Sequence, residues 1–436
     1  MIGGLFKPAG VVSLAAAGML MGGVSAHAAD LGGNCCADLE ERVAELEATT
    51  ARKGNRKVSL EVSGHVNEAI LVWDDGYDTE AYIGTNNYSR TRFRFKGSAQ
   101  INADWSAGFL IEVGLRQTGD SGAWDQDGLA KTGLDVRHQA LYVRSRSLGT
   151  IWLGHTATAV DGIADICLGC TTTSSHEANL GWGGFVARVP GGAILPSDLT
   201  WKEMGAGNNV ASGASRRQLL RYISPTLAGF VLSADWGGAT SVEDDLSWSV
   251  ALRYAGEFGA IRVAGGIGYH EEDIQDGFLH GWGGSLSLQH TPTGLFVAGS
   301  YGEQTDDGTT RAALDAPAGP RIQDTEDGWS VAAGIGQRWM ALGKTTLWGR
   351  YGQYGGRTLG FDTDAVVGND TWAGDGDTVV WSLGFNQQID AAAMELYVTY
   401  WNVSGDYSSY NDVAAATVTV DPKDFQAVMM GARIKF

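Results

Sequence analysis

The chain has 436 residues, with 63 Gly, 15 Trp and 8 Pro, and a formal charge of −19. That charge disfavours a nucleic-acid partner, because neutralising phosphates needs a basic face. Beyond the N-terminus no apolar run is long enough for a transmembrane helix, so any membrane span must be β.

Residues 1–28 read as an export signal: Lys7 supplies the positive start, Val11 to Val24 the apolar core, and Ala26-His27-Ala28 the small-x-small cleavage site. Export puts the cysteines in an oxidising compartment. In the next segment, 29–56, Cys36, Leu39, Val43, Leu46 and Thr50 alternate spacings of three and four, the seam of a short coiled-coil helix. A helix this short needs partners, and self-association is the expectation. Arg52 to Lys57, broken by Gly54, ends it with cations at its C-terminus. Cys35 and Cys36 are placed to link chains, since a bridge between neighbours would be strained.

From Lys57 the period changes to two. Val58, Leu60, Val62 and Val66 fall on one parity and Ser59, Glu61, Ser63, His65 and Asn67 on the other. Such strands recur to the last, Gln426 to Phe436, whose apolar parity runs through Val428, Met430, Ala432, Ile434 and Phe436. Seven short turns alternate with eight longer polar loops, which predicts sixteen antiparallel strands over 57–436 with both ends on the short-turn side. The final strand is expected to close a transmembrane barrel against the first, because an open apolar edge invites aggregation. Trp73, Trp105, Trp152, Trp236, Trp282, Trp339, Trp348 and Trp401, with Tyr222, Tyr254, Tyr351 and Tyr400, stand near strand ends, as interfacial girdles would.

Motifs for catalysis are absent: there is no Gly-x-Ser-x-Gly elbow, His-Glu-x-x-His helix or phosphate-binding glycine loop. Cys167-Leu-Gly-Cys170 reads as a local disulfide, because no thioredoxin-like context surrounds it and a metal site with His176 and Glu177 would lack a second ligand pair. The acidic groups Glu243-Asp-Asp245, Glu271-Glu-Asp273 and Asp375-Gly-Asp377 could hold Ca²⁺, but none has EF-hand spacing and solvated loop tips are the better default.

The Cys-Cys-Ala-Asp-Leu-Glu-Glu-Arg-Val-Ala-Glu-Leu-Glu head, the Lys57-Val-Ser-Leu-Glu-Val-Ser-Gly64 strand, Tyr222-Ile-Ser-Pro-Thr-Leu-Ala-Gly-Phe230 and the terminal Phe436 resemble a general outer-membrane porin, and more narrowly the porins of α-proteobacteria. The resemblance implies a homotrimer of 16-stranded barrels among outer-membrane lipid and lipopolysaccharide, each barrel narrowed by an inward-folded third loop. It also implies that Phe436 is an address for the barrel-assembly machinery. Here the third loop, about 156–215, carries Asp161, Asp165, Glu177, Asp198 and Glu203. On the wall, Arg90, Arg92, Arg94 and Lys96 share one parity, which should face the lumen, since a lipid-facing cation costs roughly 2–4 kcal/mol at the midplane. Arg116 and Arg217 are further eyelet candidates, with Arg144, Arg146, Arg216 and Arg221. Wall cations opposed to loop carboxylates would make a transverse field across a narrow pore. The expectation is passive diffusion of small hydrophilic solutes without cofactor. The alternatives are a substrate-specific channel, or a tether whose coiled coil reaches peptidoglycan. Acidic loops and mouth suggest a lean to cations, while the arginine row argues the other way, and the expectation is the cation lean.

Overall fold

The computed structural model describes residues 57–118, 124–126, 128, 131–171, 184–188, 200–201, 216–238, 246–274, 277–306, 325–359, 373–411 and 416–436. The signal, the coiled-coil segment with Cys35 and Cys36, Glu177, Asp198, Glu203 and Glu243 to Asp245 lie outside them.

The strands are β1 (Ser59–Asp74), β2 (Thr79–Thr85), β3 (Arg92–Gln100), β4 (Trp105–Thr118), β5 (Lys131–Ser145), β6 (Gly149–Ala157), β7 (Arg216–Ile223), β8 (Phe230–Gly238) and β9 (Leu246–Phe258). They continue as β10 (Ile261–Ile274), β11 (Gly277–His290), β12 (Leu295–Asp306), β13 (Thr325–Met340), β14 (Gly343–Leu359), β15 (Ala373–Ile389), β16 (Met394–Asn411), β17 (Ala416–Val420) and β18 (Phe425–Lys435). Each pairs antiparallel with its neighbours. β2 and β3 are two pieces of one stave along β1, and β17 and β18 two pieces of another along β16, so the eighteen segments make sixteen staves. β18 closes the sheet on β1, with Val66 opposite Ile434 and Ile70 opposite Met430. Closure leaves no free edge.

Alternation follows from the two faces of the wall. Val62, Val66, Ile70, Met430 and Ile434 point out and are exposed, while Asn67, Leu71, Met429 and Arg433 point in and are buried. Phe436 exchanges backbone hydrogen bonds with Gly64 at 2.9 and 3.1 Å and lays its ring over that residue, where a Cβ would sit 2.6 Å from Cζ. Only glycine admits that contact.

Three features depart from the simple pattern. Much of the predicted loops is strand: β2 lies inside the expected first loop, and β14–β17 run well past their expected ends. Their sequences are largely polar, so the ladder continues where polarity no longer alternates. The second stave also breaks at Asn87–Ser89, a 3₁₀ turn between β2 and β3 capped by the Asn86 side chain, which carries Tyr88 inward to stack on Trp401 at 5.7 Å. Finally, the register shifts between Glu112 and Val113, leaving Arg137 as the extra residue of a β-bulge on β5.

The aromatics divide. Trp105, Trp236, Trp282, Trp339, Tyr222 and Tyr351 are exposed on the outside, but Trp73, Trp348 and Trp401 are buried on the inner face. The girdle assignment of those three is corrected, and with them that of Trp152: each shares parity with inward residues, Trp73 with Leu71, Trp348 with Arg350 and Trp401 with Thr399, while Trp152 stands between outward Ile151 and Leu153 and packs on buried Tyr142 at 4.7 Å. An upper outer belt runs from Trp236 on β8 through Trp248, Tyr269, Trp282, Tyr301, Trp329, Tyr351 and Trp381 to Tyr400 on β16. Within it the pairs Trp248–Tyr269, Trp282–Tyr301, Trp329–Tyr351 and Trp381–Tyr400 meet at 5.1–5.7 Å. The upper outward positions on β2 and β4–β7 are instead Ile83, Leu115, Leu134, Leu153 and Leu220.

Candidate functional site

At mid-height the inner wall from β3 to β7 is basic. Glu112, fully buried on β4, receives Arg92 at 3.3 Å, Arg137 at 2.8 Å and Arg94 in a short contact. The bulge makes this triple contact, since it turns Arg137 inward beside His138 instead of out. Asp135 is shared by Arg90 at 2.9 Å and Arg116 at 3.6 Å. Arg216, at the start of β7, reaches Asp161 at 4.0 Å and lies within electrostatic range of Arg90, Arg92 and Arg137. Among the described residues, six arginines thus share three carboxylates. Arg116 and Arg94 keep 50% and 31% of their side-chain surface exposed, so they present the surplus charge to the lumen. Lys96 is exposed lower on the same face.

The third loop leaves β6 and runs along the opposite wall. Its first limb, 158–171, lies on β8–β12. Ile163 and Ile166 fill the space left by Gly266, and Val160 that left by Gly268. A Cβ at either glycine would come within 2.7 Å of a loop side chain. Ser285 Oγ donates to Ile163 O at 2.6 Å and accepts from the Ile166 amide at 3.1 Å, and Ser287 Oγ accepts from the Leu168 amide at 3.0 Å. Cys167 and Cys170 form a disulfide within this limb, next to Gly169, which abuts Phe296. Asp165 is buried against the wall rather than displayed to the lumen.

A second part of the same loop seats on β1, β2 and β18. Phe185 packs on Trp73 at 5.0 Å and on Phe425 at 4.7 Å, and Trp201 donates its amide to Phe185 O at 3.0 Å. With Leu71, Trp124, Tyr397, Val403 and Met429 these rings make an apolar core inside the barrel. Arg188 adds ion pairs to Asp75 at 2.8 Å and Asp78 at 3.2 Å. β10 and β1 stand eight staves apart in a ring of sixteen, so the loop is fixed at opposite sides of the barrel.

The predicted site residues therefore separate. Arg90, Arg92, Arg94 and Arg116 gather with Asp161 in one basic sector, joined by Arg137 and Arg216. Arg217 instead pairs with Glu272 of β10, and Arg221 holds a loop carbonyl. Arg144 lies near the short-turn end against Thr150, and Arg146 in the turn itself. Sequence reasoning missed Glu112, although it shares the parity of Arg116 on β4; it missed Arg137, because the bulge on β5 breaks the parity that would have found it; and it missed Arg253 on β9. The inward faces of β13, β15 and β16 at this level carry Ser330, Ala332, Thr378, Ser382 and Thr399, all neutral.

A model of the Gram-negative porin family matches residues 13–408. No curated protein sequence matches the chain. Among solved structures, it is similar to the anion-selective porin from Comamonas acidovorans, at 15% identity and a TM-score of 0.55, over 87% of this chain and 100% of that one. It is also similar to the trimer form of OmpT, an outer membrane protein of Vibrio cholerae, at 16% identity and a TM-score of 0.52, over 87% and 99%. At such identities these likenesses show the fold. With the family match spanning most of the sequence and a closed barrel with an apolar exterior, the chain belongs to the Gram-negative porin family and is a passive channel of the outer membrane.

Proposed function

We propose that the channel passes small hydrophilic solutes by diffusion, prefers anions at its constriction, and works as a homotrimer without catalysis or cofactor. The preference rests on the basic sector, where six arginines are offset by three carboxylates and Arg94 and Arg116 reach open water. Basic side chains lining a pore raise the local concentration of anions. One unit charge at about 10 Å in water is worth about 0.4 kcal/mol, roughly a factor of two in ion partitioning. The formal charge of −19 belongs to the whole chain, whereas selectivity is set at the narrowest level. The name of the Comamonas porin is consistent with this reading.

Trimerisation is supported by the outer face. The aromatic belt covers β8–β16 and gives way to aliphatic side chains on β2 and β4–β7. On the same side, Glu68 lies exposed on the outward parity of β1, accepting from Thr85 at 2.8 Å and Thr91 at 2.9 Å. A carboxylate there is unfavourable against lipid and acceptable against protein. In this reading the rest of the wall meets lipid and lipopolysaccharide, Phe436 serves the barrel-assembly machinery, and the N-terminal seam reaches peptidoglycan. The Cys-Cys head supports placement near the α-proteobacterial porins.

The test is the reversal potential of the purified protein in a planar bilayer under a KCl gradient. Stepwise, non-saturating conductance with an anion-directed potential is expected. A cation-directed potential refutes the preference, and saturable block by one solute refutes passive diffusion.

A further inference from the structure

The start of the third loop's inward limb carries carbonyls that no sheet or helix satisfies, and a buried carbonyl must find a donor. Wall arginines provide it. Arg221 donates to the carbonyl of Ala157, the last residue of β6, at 3.0 Å. Arg253, 6% exposed on β9, donates to Ala159 O at 2.5 Å through one terminal nitrogen and to Asp161 O at 2.9 Å through the other. Its remaining hydrogen bond goes to Ser233 Oγ at 3.3 Å. The amide of Ala159 is held from the other side by Asp235, which also accepts from Ser249 Oγ. All three of Arg253's hydrogen-bond partners are therefore neutral oxygens, and two of them belong to the loop. A buried charge compensated by dipoles is stable only while those dipoles stay in place. If the loop lifted away, it would leave its own carbonyls without donors and the guanidinium with Ser233 Oγ alone.

We propose that Arg253 is a positioning residue that sets the bore of the channel, by gripping the loop at Ala159 and Asp161 with both arms of its planar fork. This rests on the channel reading above and adds a division of labour among the wall arginines. Arg94 and Arg116 act on the solute through charge, whereas Arg253 acts on the loop through geometry. The loop carbonyls stand two residues apart, a spacing the fork spans and an ammonium point charge does not.

Arg253→Lys and Arg253→Gln separate the two roles in single-channel recordings, with barrel assembly checked by heat-dependent gel mobility. If Arg253 grips the loop, both variants show excursions to sublevels roughly tenfold more often than the parent, the factor expected for losing one charge-assisted hydrogen bond. The exclusion limit for neutral polymers also shifts upward in both, and Arg253→Lys keeps the parental reversal potential. If Arg253 contributes only charge, Arg253→Lys is quiet and parental in size limit, which overturns the proposal. The Ala159 amide also donates to Ser249 Oγ at 3.1 Å, so Asp235→Ala/Ser249→Ala releases the same peptide from its other side and should show the same excursions. An assembled, quiet Asp235→Ala/Ser249→Ala barrel with parental size limit overturns the proposal even if neither Arg253 variant folds. Absence of conductance steps in the parent protein would instead refute the channel reading itself.

Discussion

Across β1–β7 the inner face carries arginines and carboxylates and the upper outer face carries Ile and Leu. Across β8–β16 the outer face carries a belt of Trp and Tyr, and the inner face is mostly Ser, Ala, Thr and Gly. Since alternate residues of a strand meet different surroundings, each half could specialise its two faces independently. The first half concentrates charge where solutes pass and, in the trimeric reading, turns aliphatic side chains toward sister chains. The second anchors the molecule at the lipid interface and provides a smooth inner seat for the third loop. Gly266 and Gly268 are part of that seat, and their side-chain space is taken by Ile163, Ile166 and Val160.

The largest expected effect comes from breaking the first half at its centre. Glu112→Gln leaves Arg92, Arg94 and Arg137 without their shared counter-charge in a buried site. Removing one partner of such a cluster costs roughly 3–5 kcal/mol. Urea or thermal unfolding followed by gel mobility should show a strongly destabilised barrel. Parental stability would mean that the cluster is solvated and the sector is not organised around this carboxylate.

A smaller effect is expected at the short-turn rim of the same half. Asp104 accepts from the Ser145 hydroxyl and from the amides of Arg146 and Ser147, tying two neighbouring turns together. The Ser145 hydrogen bond is the main cause holding its carboxyl below the usual carboxylate range, followed among the favourable contacts by the Arg146 amide. The stability this provides is complete above the unfolded carboxylate range and is lost as pH falls through the depressed folded value. Between about pH 4 and lower values, Asp104→Asn should therefore lose less stability than the parent, as measured by denaturant midpoints across that window. Identical slopes for the two proteins would show that the turn contacts are not coupled to protonation.

How much of this was legible in the sequence differs between wall and lumen. The barrel was readable from Val58 to Val66 and from Gln426 to Phe436, because two unlike solvents impose period two on any strand between them. The same logic explains what was lost. β2 and the ends of β14–β16 are rich in polar residues and glycine without a clean alternation, so their sequences look like loops. Trp348 was misplaced because proximity to a strand end was weighed above its shared parity with Arg350, and the Arg137 bulge shifts parity without any mark in composition. The arginine row on β3 could be placed in the lumen from the cost of charge in lipid. Its partners could not, since ion pairs join residues such as Arg217 and Glu272 that are distant in sequence. Arg253 gave no signal at all, being a lone cation whose partners are backbone carbonyls.

The central claim, that the β3–β7 sector writes the selectivity, is tested most directly by comparing reversal potentials for Arg94→Gln/Arg116→Gln with those for Arg350→Gln on β14. Arg350 faces the lumen from the other half and donates to Ser330 Oγ at 2.8 Å. Each lost charge lowers anion and raises cation partitioning about twofold, so the double variant should reduce the anion-to-cation permeability ratio by roughly sixteenfold at low salt, with the effect shrinking as the Debye length falls. Arg350→Gln should shift it by less. An unchanged ratio in the double variant, or a larger shift from Arg350→Gln, would contradict the account.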